Sequence, residues 1–156
     1  MQNIEQLSKI LLLNAENGPN ISYLAPASPV TTAAAVTYTP ANLMGGWIHR
    51  DCNGSGRTDV LPTAALLVAY LRERANVFSA ELKRHMEITF TIQNESDAAE
   101  TITIQCGTGG SPDHNGAGTH TLTIPQNTSK KFSIKISSSV IGSEAYVLRN
   151  LGGYTT

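Results

Sequence analysis

The sequence predicts a mainly β domain, an antiparallel β-sandwich with a jelly-roll arrangement left open, carrying one buried helix and preceded by an extended N-terminal arm. Three observations predict it. From Met86 onward apolar and polar residues alternate with a period of two, as strands with one buried and one wet face require. The connections between those segments are rich in Asn, Asp, Gly and Pro. Only 15% of the residues are charged, a composition that suits sheets with one solvated face and protein–protein assembly.

A chain of 156 residues accommodates one domain with an arm and can bury a core without staples. The division falls at residues 1–44 for the arm and 45–156 for the sandwich. A net charge of -1 provides no general attraction to nucleic acid, which is excluded as the main partner. Cys52 and Cys106 do not make a disulfide framework and read as buried thiols. The N-terminus lacks the basic start and apolar run of a signal peptide. The longest apolar run, Ala64–Leu71, is too short to span a bilayer. The expectation is a soluble protein made in a reducing cytoplasm, with no membrane partner.

Taken in order, Asn3–Leu13 places Ile4, Leu7, Ile10 and Leu11 at helical spacing, and Asn17-Gly18-Pro19 ends that helix. Such a short amphipathic helix needs a surface to pack on. Pro26, Pro29 and Pro40 keep Asn20–Ala41 extended. Tyr23, Leu24, Val36 and Tyr38 punctuate it, so it reads as a segment that docks, on a neighbour or on its own domain. Gly45-Gly46 then leads into a short strand at Trp47 and Ile48, with Trp47 expected in the core. Asp51–Asp59 reads as a Gly/Asn/Asp loop, with Asp59 capping the next helix and Pro62 in its first turn. From Thr63 to Leu71 that helix is apolar on every side, which implies burial all round.

Asn76–Arg84 is an ambiguous connector. Beyond it Ile88, Phe90 and Ile92 alternate with polar residues, as do Ile102, Ile104 and Cys106. Leu122 and Ile124, then Phe132, Ile134 and Ile136, repeat the scheme with Lys131 and Lys135 outward. Ala145–Arg149 supplies a last strand, and Gly107–Gly118 is the longest connection. Leu67, Phe90 and Phe132 join Trp47 as expected core residues.

No arrangement in the chain supports catalysis, and a non-enzyme with no cofactor and no metal is expected. His49-Arg50-Asp51 lacks the correctly spaced Asn and the other motifs of a kinase. Asp51, Asn53, Ser55, Gly56 and Asp59 imitate the alternation of a calcium loop, but Pro62 stands where the bidentate Glu belongs. The stretch reads instead as a turn held by its own charges, with Arg50 and Arg57 pairing Asp51 or Asp59. His114 and His120 lack compact ligand spacing.

The pattern Gly45-Gly46-x-Ile48-x-Arg50-Asp51-x-x-Gly54-x-x-Arg57-Thr58-Asp59-x-x-Pro62-Thr63-Ala64-Ala65, with Val68-Ala69, resembles a module of virion proteins from tailed phages and large DNA viruses. The likeness continues through Asn94, Asp97–Thr103, the Gly107–Gly110 turn and Gly142–Ala145, and covers Gly45–Gly152. Cys52, where Pro is common, the connector Tyr70–His85 and the enlarged loop Ser111–Gly118 depart from it. The resemblance implies a small β-sandwich that is a structural part of the particle, commonly a homotrimer, used on capsid surfaces and at fibre ends. No collagen repeat or heptad stalk accompanies it here. The expectation is a bacteriophage-type capsid decoration, or cement, protein on the virion surface. Its partners are then the major capsid protein and copies of itself, with Ile4, Leu7, Tyr23, Leu24, Val36 and Tyr38 as the arm's capsid contacts. The alternative is a receptor- or glycan-binding fibre head using the Gly107–Gly118 tip.

Overall fold

A computed structural model describes residues 30–75, 87–113 and 122–155. The helix expected at Asn3–Leu13, the arm residues Ile4, Leu7, Tyr23 and Leu24, the connector Asn76–Arg84, and His114 and His120 lie outside them. In chain order the elements are β1 (Val30–Thr31), α1 (Pro40–Met44), β2 (Trp47–Asp51), β3 (Arg57–Val60), α2 (Ala64–Ala75), β4 (Glu87–Asn94), β5 (Ile102–Gln105), β6 (Gly110–Pro112), β7 (Thr123–Ile124), β8 (Thr128–Ser138) and β9 (Ala145–Thr155).

The protein is mainly β. Period-two alternation sends Ile88, Phe90 and Ile92 of β4 and Phe132, Ile134 and Ile136 of β8 to one side, where all are buried. The two strands pair antiparallel with Phe90 opposite Phe132. Their rings stack at 5.6 Å, a cross-strand contact that stabilises the pair beyond the area it buries. Strand β9 continues the antiparallel pairing along β8 and adds Tyr146 and Leu148 to the core.

The sheets are mixed rather than purely antiparallel. One has six strands in the order β1-β2-β4-β8-β9-β6, the other three in the order β3-β5-β7. Pairings β1 with β2, β2 with β4, β3 with β5 and β6 with β9 are all parallel. The reason lies in the connections. A parallel neighbour requires a long crossover, and β3 and α2 both intervene between β2 and β4. Alternation marks the faces of a strand and leaves its neighbours open.

Three local expectations are corrected. Trp47 is 41% exposed, because on β2 it shares the outward face with His49 while Ile48 and Arg50 point in. Helix α2 is buried along one stripe only, Ala64, Leu67, Val68 and Leu71, whereas Leu66 is 58% exposed. Those four positions follow helical periodicity, so the apolar residues between them face outward. The end of the Asp51–Asp59 loop is strand β3, which removes Asp59 from the cap of α2. Leu67, Phe90 and Phe132 are buried.

Pro40, read as extending the arm, opens α1 instead. Thr39 caps that helix in a reciprocal box with Asn42, and the missing proline N–H does no harm in a first turn. Cys52 is buried, Cys106 is half-buried, and neither is in a disulfide. Among the described residues no helix is long and apolar enough to cross a membrane.

Candidate functional site

The conspicuous polar feature of the interior is Arg50 with Asp59, both fully buried. Alternation on β2 turns Arg50 inward, and the same pattern on β3 turns Asp59 toward it. Arg50 Nε donates to Asp59 Oδ2 at 2.8 Å and Nη2 to Oδ1 at 3.3 Å, a forked pairing. Burial opposes the guanidinium charge, but hydrogen bonding to Asp59 and its negative charge outweigh that and hold Arg50 above its ordinary pKa.

What remains of both groups is engaged by residues 30–38. Arg50 donates to the carbonyls of Val30 (3.3 Å), Thr32 (2.9 Å) and Ala34 (2.8 Å), and to that of Asp51. Asp59 Oδ1 accepts the Val36 N–H at 2.9 Å, and Oδ2 accepts the Tyr38 hydroxyl at 2.9 Å. Arg57 donates to the Ala33 carbonyl, to Ser55 Oγ and, at 3.2 Å, to the Gly56 carbonyl. Backbone pairing adds Val30 and Thr31 alongside Arg50 and Asp51, and a bridge from Thr37 to Val60. The pair is thus a clamp that fastens the end of the arm to the domain.

Of the four residues expected to hold the loop, Arg50 and Asp59 come together and Arg57 reaches the arm. Asp51 turns locally, accepting the Asn53 N–H at 2.8 Å. Val36 and Tyr38, expected among the capsid contacts, face the chain's own interior. Tyr38 is 2% exposed and Val36 packs against the core. Burial first, then Asp59, pushes the Tyr38 hydroxyl above the usual tyrosine range. Asp59 is thus engaged by Arg50, Tyr38 and Val36.

A second network, not anticipated, backs the β2–β3 loop. Asn94 Nδ2 donates to the carbonyls of Glu100 and Ile124, each at 2.9 Å, while its Oδ1 accepts the Ser96 N–H. Ser96 Oγ accepts the Cys52 N–H at 3.1 Å, and Glu100 Oε1 accepts the Gly54 N–H at 2.6 Å. Gly54 adopts φ +117, a conformation open chiefly to glycine. The signal in the sequence was Asn94 standing where the Ile88, Phe90, Ile92 alternation calls for an apolar residue.

Chemically the clamp holds rather than reacts. All five guanidinium N–H groups and both carboxylate oxygens have partners, so neither residue has capacity for a substrate. Comparison of the chain with protein-family models, with curated proteins and with solved structures returns no match.

Proposed function

We propose that this chain is a viral structural protein, a capsid decoration or cement protein that binds the outer surface of the shell and stabilises it. Its partners are the major capsid protein and two further copies of itself in a homotrimer. The observation that carries the reading is that the motif residues Arg50, Arg57 and Asp59 are those that fasten residues 30–38 to the domain. A segment that projects from a domain and bears load on a neighbour needs a rigid root, and the clamp supplies one.

The capsid contacts are then assigned to Ile4, Leu7, Tyr23 and Leu24, before the clamp, while Val36 and Tyr38 anchor it. Three arms on one trimer act together, so modest contacts per arm give firm attachment. A protein that binds only the assembled shell stabilises that shell by mass action.

The test is the copy number in purified particles, measured by quantitative mass spectrometry against the major capsid protein. Near-stoichiometric amounts are expected. Far fewer copies point to the fibre-head reading, and absence from particles overturns both.

A further inference from the structure

Apart from the clamp, three carboxylates converge where the β2–β3 loop meets the β4–β5 loop. One oxygen each from Asp51, Asp97 and Glu100 lies within 4.8 Å of the others. Asp97 is exposed, Asp51 half-buried and Glu100 only 4% exposed. No ion pair to any of the three occurs among the described residues.

Acidic neighbours alone would mean little. The second observation is Glu100 itself. Its Oε1 is held by the Gly54 N–H, but Oε2 is buried with no hydrogen-bond partner among the described residues. A buried carboxylate oxygen without a partner, on a residue grouped with two further carboxylates, is unfavourable unless a cation satisfies it. The two loops are also braced independently through Ser96 and Asn94, so the three groups are presented without help from an ion.

We propose that Asp51, Asp97 and Glu100 form a calcium site joining the two loops. An all-oxygen, carboxylate-rich donor set selects a hard cation over zinc or copper. Calcium accepts a flexible shell of six to eight oxygens at about 2.3–2.6 Å, which side chains from two separate loops can supply, whereas magnesium demands a near-ideal octahedron. The remaining positions are filled by water or loop carbonyls. This ligand set is unlike the alternating loop pattern in the sequence, since two of its members come from beyond β4.

The test is calorimetric titration of the full-length, chelator-treated protein with calcium chloride and with magnesium chloride, together with thermal melts. One calcium per chain is expected with Kd on the order of 10⁻⁴ M, toward the weak end of the range that ligand charge and site rigidity set. A hundredfold excess over that Kd raises Tm by roughly 5 °C or more. Asp97→Asn, at an exposed position, is expected to fold normally and lose at least tenfold in affinity; Glu100→Gln loses more. Absence of saturable calcium binding overturns the proposal. So does calcium binding unchanged in Asp97→Asn, or magnesium binding as tight as calcium.

Discussion

At the scale of single residues, the buried Arg50–Asp59 pair is the most sensitive point of the protein. Such a pair adds little net stability over an apolar replacement of both partners, but removing one leaves the other charged, buried and alone. Arg50→Ala and Asp59→Ala are therefore each expected to lower unfolding free energy by about 3–5 kcal/mol in urea titrations. The double variant should lose much less than the sum of the two. Arg50→Lys should not rescue, because an ammonium lacks the planar fork that serves Asp59 and four carbonyls together. Tyr38→Phe deletes one hydrogen bond to a charged group and should cost about 1.5–3 kcal/mol. Burial raises the Cys52 and Cys106 thiols above their ordinary 9.0, and raises the Tyr38 and Tyr146 hydroxyls above their ordinary 10.0. Above pH 9 the unfolded chain releases these protons while the native protein keeps them. The native state then binds more protons, so stability falls as pH rises. The contribution is complete below pH 9 and declines above it, and urea midpoints measured at increasing alkaline pH should show a shallower decline in Tyr38→Phe.

At the scale of elements, α2 separates apolar composition from burial. Leu66 and Leu67 are adjacent and chemically identical, yet one is 58% exposed and the other fully buried. Leu67→Ala should cost about 2–5 kcal/mol through lost contacts and a cavity. Leu66→Ala should stay within about 0.5 kcal/mol of the parent. A thermal melt of each variant decides it. The start of α2 is closed onto the β5–β6 turn by Tyr146, whose hydroxyl accepts the Gly107 N–H and donates to the Pro62 carbonyl. Here Gly107 has no room for a side chain, since a Cβ would lie 2.4 Å from the Leu61 carbonyl oxygen. Gly107→Ala is expected to cost on the order of 1–3 kcal/mol by displacing that backbone. The strands themselves were legible. Alternation located β4, β5 and β8 and told Phe90 and Phe132 from Lys131 and Lys135, because a pleated strand has only two faces. Partner choice was not legible, since nothing local in Trp47–Asp51 states that its neighbour begins some forty residues later. Trp47 was misread for the opposite reason: size and hydrophobicity suggested burial, and the inward side was set by Arg50.

At the scale of the whole molecule, residues 32–38 are tied to the strands that carry Arg50 and Asp59. Arg50 and Asp59 could be read from the sequence as a charge pair, but their further partners are backbone carbonyls and an N–H, which carry no residue signature. Tyr38 looked like a docking residue and does dock, on its own domain. Glu100 was invisible as a partner of Asp51 because forty-nine positions separate them and only the sheet pairing closes that gap. These contacts make two truncations diverge. Removing residues 1–29 leaves the clamp and every described core contact in place, so circular dichroism should show a cooperative melt close to that of the full chain. Removing residues 1–38 takes Tyr38 from the core and withdraws the carbonyls of Val30, Thr32 and Ala34 from Arg50. Loss of a buried aromatic alone costs about 3–5 kcal/mol. Each buried donor left without a partner adds about 1–3 kcal/mol. The sum is comparable with the whole stability of a domain, roughly 5–15 kcal/mol, so this shorter chain should be unfolded at room temperature. A cooperative melt in the 1–38 deletion would show that the clamp is dispensable. If only the 1–29 deletion folds, it is the variant in which loss of shell binding can be ascribed to the arm and not to collapse of the domain that carries it.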